Sequence, residues 1–278
     1  MLIFLNGEFV PEERAVISVF DRGFLYGDGL FESMLVGNGK LFRWPQHLER
    51  LQRGADFLKI KLPFTADALR GFAGELIAKN KMPDALLRLT LSRGVGSRGY
   101  SPKGAERPTL VMSLHPLASH PGRGWRLRTS SFRLPAGEPL AQFKTCNKLP
   151  QVLARAETEP DGADETLLLN TEGFVVEASS SNLFWIDRAT VCTAPLVGGI
   201  LPGVTRATVF EICQVLNLAA RETQIRQKEL QQAEGIFVSL SSFGIVEAES
   251  LDGQAVKKSP LTERIRTAYE KLVALETK

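Results

Sequence analysis

Glu177-Ala-Ser-Ser-Ser-Asn182-Leu-Phe184, then Thr193, then Gly199-Ile-Leu-Pro-Gly203-Val-Thr205-Arg206 is the stretch that decides the fold. It sets a carboxylate on one strand and an asparagine-aromatic pair on the next. A glycine-rich turn follows, with a hydroxyl and a cation at the start of a helix. Gly198, Gly199 and Gly203 admit backbone angles that other residues resist, so peptide N–H groups can turn inward. From Arg206 to Leu218 the apolar residues Val209, Ile212, Val215, Leu216 and Leu218 fall at mostly helical spacing, which makes Thr205 the expected N-cap. The N–H groups and positive dipole end of such a helix form a cup for phosphate. The glycine-rich end also fits an ordinary strand-turn-helix corner. The carboxylate ahead of it favours a site for a small anionic aromatic molecule.

Composition narrows the rest. At 278 residues the chain can bury a large core and is expected to make two modest domains. A hydrophobic share of 44% and a charged share of 23% are those of a soluble globular protein. No apolar run approaches a membrane span. The opening Met1-Leu-Ile-Phe-Leu-Asn-Gly reads as a first strand and not as a signal peptide. Three cysteines, Cys146, Cys192 and Cys213, form no C-x-x-C and cannot all pair, so a reducing cytoplasm is the expected home. His47, His115 and His120 lie far from any ligand-spaced cysteine, and no metal is expected. The net charge of +3 is mild. In Arg123-Gly-Trp125-Arg-Leu-Arg128, with Arg133 beyond it, the alternation reads as a half-buried strand with arginines on its wet face. No nucleic-acid partner is expected.

Residues 1–43 read as short strands and turns, with strands at Met1–Leu5, Glu8–Pro11, Leu30–Val36 and Lys40–Phe42. A helix begins at Trp44-Pro45 and runs to about Leu58. A second runs from Thr65, its cap, to Asn80. Leu86–Ser92 and Pro108–His115 are strand-like, and Arg93-Gly-Val-Gly-Ser-Arg98-Gly-Tyr100-Ser-Pro is the loop between them. Pro116–Gly124 is the linker candidate. Beyond it, strands alternate with helices near Leu149–Glu157, Val204–Leu218, Gln227–Ala233 and Leu261–Glu276. The expected fold class is α/β, with an α+β N-terminal domain (1–118), a larger α/β C-terminal domain (119–278), and the active site at their seam.

Lys144, in Gln142-Phe-Lys144-Thr-Cys-Asn147-Lys148, stands just ahead of a helix start. Taken alone, its default is a solvated surface lysine. The alternatives for the other polar residues are similar. Arg50 could pair with Glu49 or Glu13 at the surface, Glu177 could be an edge-strand charge, and Ser239, Ser241 and Ser242 could be strand and turn residues.

Four segments, in order, change the weighing: Asp21-Arg-Gly-Phe-Leu-Tyr-Gly27-Asp28-Gly29-Leu-Phe31-Glu32, His47-Leu-Glu-Arg50-Leu51, Lys144-Thr-Cys-Asn147, and the Glu177–Arg206 run. With them the whole chain resembles the fold-type IV pyridoxal-phosphate enzymes, the class IV aminotransferase family of branched-chain and D-amino-acid aminotransferases and aminodeoxychorismate lyase. The resemblance implies a D-amino-acid aminotransferase-like fold, pyridoxal 5'-phosphate as cofactor, and a homodimer. It implies that Lys144 holds the cofactor as a Schiff base and, once displaced, serves as acid and base, burial and a nearby cation lowering its proton affinity. Glu177 would face the pyridine nitrogen. Arg50, the Val204 N–H, Thr205 and Ser241 would hold the phosphate. Leu201 would pack on the ring, Asn182 would organise its loop, and Phe31 would form a pocket wall.

The same cofactor serves transamination and elimination. The loop from Arg93 resembles the Arg-Gly-x-Gly-x-Arg-Gly-Tyr loop of aminodeoxychorismate lyases, which implies that Arg98 and Tyr100 meet a substrate carboxylate. The expectation is therefore a lyase releasing pyruvate and 4-aminobenzoate, a folate precursor, from a small substrate with an amine and carboxylates. The alternative is an aminotransferase for D-amino acids or branched-chain amino acids with a 2-keto acid acceptor. Lys148 departs from the pattern, standing where many relatives carry tyrosine or arginine.

Overall fold

The structure is a computed structural model that describes residues 1–119 and 122–278. His120 and Pro121, inside the expected linker, lie outside the described residues. The chain divides into two units. The first joins Met1–Leu117 with Phe143–Asn147 and Val273–Lys278, and the second joins Ala118–Gln142 with Lys148–Leu272. Lys144 belongs to the first unit, although it follows that unit's strands by many residues.

The first unit contains β1 (Leu2–Leu5), β2 (Glu8–Pro11), α1 (Arg22–Tyr26), β3 (Gly29–Gly37), β4 (Lys40–Leu41), α2 (Trp44–Leu58), α3 (Ala66–Asn80), β5 (Ala85–Ser92) and β6 (Thr109–His115). Its six strands form one antiparallel sheet in the order β2-β1-β6-β5-β3-β4. The period of two fixes which residues enter the core. Leu87, Leu89 and Leu91 of β5 are fully buried, as are Leu110, Met112 and Leu114 of β6. Both long helices cover that face. The Thr65 hydroxyl accepts from the Ala68 N–H and caps α3 as expected, and Pro45 sits in the first turn of α2.

The second unit contains β7 (Trp125–Leu134), α4 (Leu149–Thr158), β8 (Glu165–Asn170), β9 (Val175–Ala178), β10 (Asn182–Asp187), β11 (Thr190–Thr193), α5 (Val204–Val215), β12 (Ala220–Glu222), α6 (Gln227–Leu230), β13 (Gly235–Leu240), β14 (Gly244–Leu251) and β15 (Gln254–Ala255). The last helix, α7 (Pro260–Glu276), ends the chain. Nine strands form a mixed sheet, ordered β12-β11-β10-β13-β14-β7-β8-β9 with β15 on β14. The pairs β7–β8, β14–β7 and β11–β12 are parallel. Apolar clusters cover both faces. Leu167 and Leu169 join Trp125, Trp185 and Val238 on one side, and Leu168 joins Val176, Ala194 and Ile200 on the other. That is why β8 is buried along its whole length and shows no polar alternation. In β7, Trp125 and Leu127 point inward while Arg126 is exposed, as the alternation predicts. Among the described residues, no helix is long and apolar enough to cross a membrane.

Candidate active site

Alternation in β3 builds two groups at once. Leu30, Glu32, Met34 and Val36 are buried, while Phe31, Ser33 and Leu35 lie on the half-buried face. Register sets Ser33 opposite Arg88 and Phe31 opposite Thr90, so Phe31 and Arg88 are diagonal neighbours. The Arg88 guanidinium stands 4.0 Å from the Phe31 ring centre. The segment Phe143–Asn147 adds to the same place. The Phe31 N–H donates to the Lys144 carbonyl, the Cys146 N–H donates to the Gly29 carbonyl, and Leu30 bridges Thr145. This anchoring holds the Lys144 Nζ 4.6 Å from the Phe31 ring centre. A lysine kept for solvation has no need of such a frame; here the ammonium rests on an aromatic face. Arg88 has no carboxylate at ion-pair distance among the described residues. Burial holds its guanidinium below the ordinary value, against the opposing pull of Cys146.

On the buried face, helical spacing puts His47 and Arg50 on the stripe that α2 turns inward, where they meet Glu32. Arg50 donates to both oxygens of Glu32, Nε at 2.8 Å and Nη2 at 2.6 Å, and His47 Nδ1 lies 2.7 Å from Glu32 Oε2. All three side chains are buried. Arg50 thus pairs in the interior and not with Glu49 or Glu13 at the surface. Burial pushes the Glu32 carboxyl up, yet the charge and hydrogen bonds of Arg50, with those of His47, bring it down to about 2. His47 is held below its ordinary value chiefly by burial, with Arg50 and Lys144 adding to the effect and Glu32 resisting it. At neutral pH the group is therefore a carboxylate, a guanidinium and a neutral imidazole whose Nδ1–H donates to Glu32.

In the second unit the Leu201 main chain is gripped at both ends. Its N–H donates to Glu177 Oε2 at 3.0 Å and its carbonyl accepts from Asn182 Nδ2 at 2.9 Å. Asn182 organises this loop, as anticipated. Glu177 lies on β9, at the end of the sheet order. The turn between Glu177 and Asn182 wraps the buried Glu165, whose carboxylate accepts from the hydroxyls of Ser179, Ser180 and Ser181 and from the Ser180 and Thr166 N–H groups.

Two sequence expectations about the α5 corner need correction. The N-cap is Gly203, not Thr205, and no side chain caps the helix; Val204 is the first helical residue and Thr205 is buried in the first turn. Gly203 has φ −66°, so it is not needed for an unusual angle. It is needed because a Cβ there would meet Asn182 Oδ1 at 2.0 Å. Gly199, at φ +87°, does adopt the left-handed region. Arg206 stands in the first turn of α5, as expected of the cation at the helix start, and is paired there. Its Nη2 donates to Glu222 at 2.5 Å and to the Ala194 carbonyl, and the guanidinium lies over Phe210.

The structure gathers Lys144 and Phe31 in one unit and Glu177, Leu201, Val204 and Thr205 in the other. Ser241 is half-buried in the turn after β13. Its neighbour Ser239, paired in register with Asn182, is buried with a hydroxyl that finds no partner among the described residues. Arg98 and Tyr100 are exposed, Tyr100 at 88%, on the loop between β5 and β6 of the first unit. Lys148 is the N-cap residue of α4, with no side-chain cap hydrogen bond. Sequence reasoning passed over Arg88, Glu32, His47 and Glu165. The alternation of β5 could have set Arg88 apart from its leucines, and the shared parity of Glu32 with Leu30 and Met34 could have marked a buried carboxylate.

The pattern of the class IV amino-transferases matches residues 29–251. The chain belongs to this family. A relative of this class IV chain in Methanocaldococcus jannaschii, described as "Putative branched-chain-amino-acid aminotransferase", is 33% identical over 280 residues, all of this chain and 97% of the relative. The D-alanine aminotransferase of Bacillus licheniformis is 27% identical, over 100% and 99% of the two chains. Among solved structures, the branched-chain aminotransferase of Thermoproteus uzoniensis with norvaline superposes with a TM-score of 0.93 at 29% identity, covering 100% of this chain and 96% of that one. The 4-amino-4-deoxychorismate lyase of Pseudomonas aeruginosa gives 0.87 at 33% identity, covering 97% and 98%.

Proposed function

We propose that this class IV enzyme is a pyridoxal 5'-phosphate-dependent aminotransferase that moves an amino group from a D-amino acid or a branched-chain amino acid to a 2-keto acid. The observation that carries the cofactor chemistry is Lys144, an amine that would otherwise be solvated, framed by main-chain bonds to β3 and set against Phe31 beside the Arg88 cation, and the branched-chain and D-alanine aminotransferase relatives favour transamination. The donor sets fit the cofactor. An uncapped helix N-terminus at Val204 with Thr205, an orphaned hydroxyl at Ser239, and the Ser241 turn suit a phosphate. Arg50, held rigid by Glu32, would supply a guanidinium for a phosphate. The carboxylate of Glu177, steadied by the Leu201 N–H, suits a protonated ring nitrogen, and Leu201 would pack on the ring.

When bound, the cofactor supplies an electron-accepting ring that stabilises negative charge on the amine-bearing carbon. The chain does the rest. Lys144 Nζ would hold the cofactor and would move the proton to and from the amine-bearing carbon. Arg88 offers a carboxylate a cation that no acidic side chain among the described residues already occupies. Phe31 keeps water from one side of the Lys144 amine. Exposed Val16, Val19, Phe20 and Phe24 support a homodimer, and the thiols of Cys146, Cys192 and Cys213, none of them in a disulfide, support a cytoplasmic home.

The lyase remains the second reading, favoured by the Arg93–Tyr100 loop and by the 33% identity to the Pseudomonas aeruginosa lyase. One experiment separates the two. An aminotransferase turns over D-alanine or L-leucine only with a 2-keto acid present. A lyase releases pyruvate catalytically from aminodeoxychorismate with no keto acid. Turnover in the second assay alone reverses the order of the readings, and turnover in neither sinks both.

A further inference from the structure

The loop that carries Arg98 and Tyr100 is exposed, but it is not loose. Arg22, the first residue of α1, is 4% exposed and collects the loop's carbonyls on one guanidinium. Nη1 donates to Gly99 O at 2.8 Å and to Ser101 O at 3.2 Å, and Nη2 donates to Tyr100 O at 3.2 Å. Three consecutive carbonyls facing one cation describe a folded loop tip, since extended backbone turns successive carbonyls to opposite sides. The remaining edge, Nε, donates to Asp28 Oδ2 at 2.9 Å. Tyr26, one turn along α1, completes the hold. Its hydroxyl accepts from the Gly99 N–H at 3.1 Å, its ring packs edge-on against Tyr100, and Arg22 stacks over it.

The anchor is itself rigid. Asp28 also takes Nε and Nη2 of Arg93, the residue that opens the loop, while Arg93 donates to the carbonyls of Leu58 and Lys59 at the end of α2. Asp21 accepts from Gly23 N–H and Ser92 on one oxygen and from Thr109 on the other. At the loop's base the two legs nearly touch. A Cβ on Gly94 would lie 1.9 Å from the Arg107 carbonyl. Both ends of the loop and its tip are therefore tied to one cluster, and Arg98 and Tyr100, at the held tip, are among the side chains it leaves exposed.

We propose that Arg22 is the positioning residue of this loop: it gathers the carbonyls of Gly99, Tyr100 and Ser101 so that Arg98 and Tyr100 form a preformed recognition tip for a carboxylate-bearing substrate. The proposal rests on the reading, implied by the loop's resemblance, that Arg98 and Tyr100 meet a substrate carboxylate in addition to the cation that Arg88 offers. A preformed tip binds with its full affinity, whereas a loop in the competent shape for a tenth of the time raises the apparent dissociation constant about tenfold.

The test uses the cofactor-loaded enzyme and the variants Arg22→Met and Tyr26→Phe, the second removing only the hydroxyl that holds Gly99. Trypsin cleavage of the Arg98–Gly99 bond, followed by mass spectrometry, reports loop opening independently of activity, because cleavage tracks the open fraction. Arg22→Met is expected to be nicked there on the order of tenfold faster, with KM for the amino acid raised about tenfold and kcat and the cofactor's visible absorption close to wild type. Tyr26→Phe should move both readouts in the same direction by a smaller factor. Unchanged nicking in both variants overturns the clamp. Faster nicking with unchanged KM overturns its role in recognition. If Arg22→Met does not fold, Tyr26→Phe decides by the same two readouts. Failure of the functional reading shows separately, as a wild type that takes up cofactor but turns over no carboxylate substrate.

Discussion

Replacing Glu32 by Gln would cut the buried group formed with His47 and Arg50 at its centre. The carboxylate is 1% exposed and accepts both Arg50 bonds and the His47 bond. Its carboxyl is brought from 4.5 to about 2, and a shift of that size corresponds to about 3 kcal/mol of stability at neutral pH. An amide of the same shape keeps one acceptor and turns an N–H₂ toward donors of Arg50 or His47, leaving the guanidinium without a counter-charge. Breaking a buried pair from one side costs about 3–5 kcal/mol, so the two routes agree. Urea unfolding of the cofactor-free protein should show Glu32→Gln destabilised by that amount, with Tm lower by on the order of 10 °C. The companion is Arg50→Met, alone and combined with Glu32→Gln. Because each single change leaves the other partner stranded, the double variant should recover about 2–3 kcal/mol relative to the sum of the singles. A Glu32→Gln cost below about 1 kcal/mol, with strict additivity in the double variant, would refute the reasoning that this pair is buried and coupled.

The pH dependence of stability follows with definite sign. His47 is held below 6.5, so the unfolded chain takes its proton first and stability should begin to fall as pH drops below 6.5. Glu32 adds a second decline between 4.5 and about 2, where the unfolded carboxyl is protonated before the folded one. Unfolding midpoints measured across that range should show a shallower lower decline in Glu32→Gln, the remainder coming from Asp28 and Asp164, whose carboxyls, despite burial, arginines also hold below their ordinary value. Gly203→Ala would drive a Cβ to 2.0 Å from Asn182 Oδ1; overpacking of this kind costs about 1–3 kcal/mol. Titration with pyridoxal phosphate should show affinity weakened by about tenfold, 1.4 kcal/mol being a factor of ten, and unchanged affinity would remove Gly203 from the phosphate corner.

How much of this was legible beforehand depends on whether a residue's role is set by near or distant neighbours. The spacing of α2 and α3, the Thr65 cap and the alternation of β5 are local, and periodicity finds them. At the α5 corner, hydroxyl preference at an N-cap points to Thr205, while the choice of Gly203 is made by Asn182, which arrives from another strand. Arg206 is legible as a cation at the helix start, but its pairing with Glu222, from β12, is set by a distant neighbour. Lys144 could not be told from any surface lysine by composition, because the frame that fixes it is β3, more than a hundred residues earlier. The Phe31–Arg88 face was half legible. Parity sets each residue on its side of the sheet, but only the β3–β5 register brings them together.

The central claim is that Lys144 is the amine that carries the cofactor. Borohydride reduction of the pyridoxal-phosphate-loaded protein, followed by peptide mass mapping, tests it directly. One phosphopyridoxyl adduct is expected, on Lys144, and none in a Lys144→Ala variant. An adduct on Lys148 in the wild type, or no adduct at all from a folded, loaded protein, would contradict it.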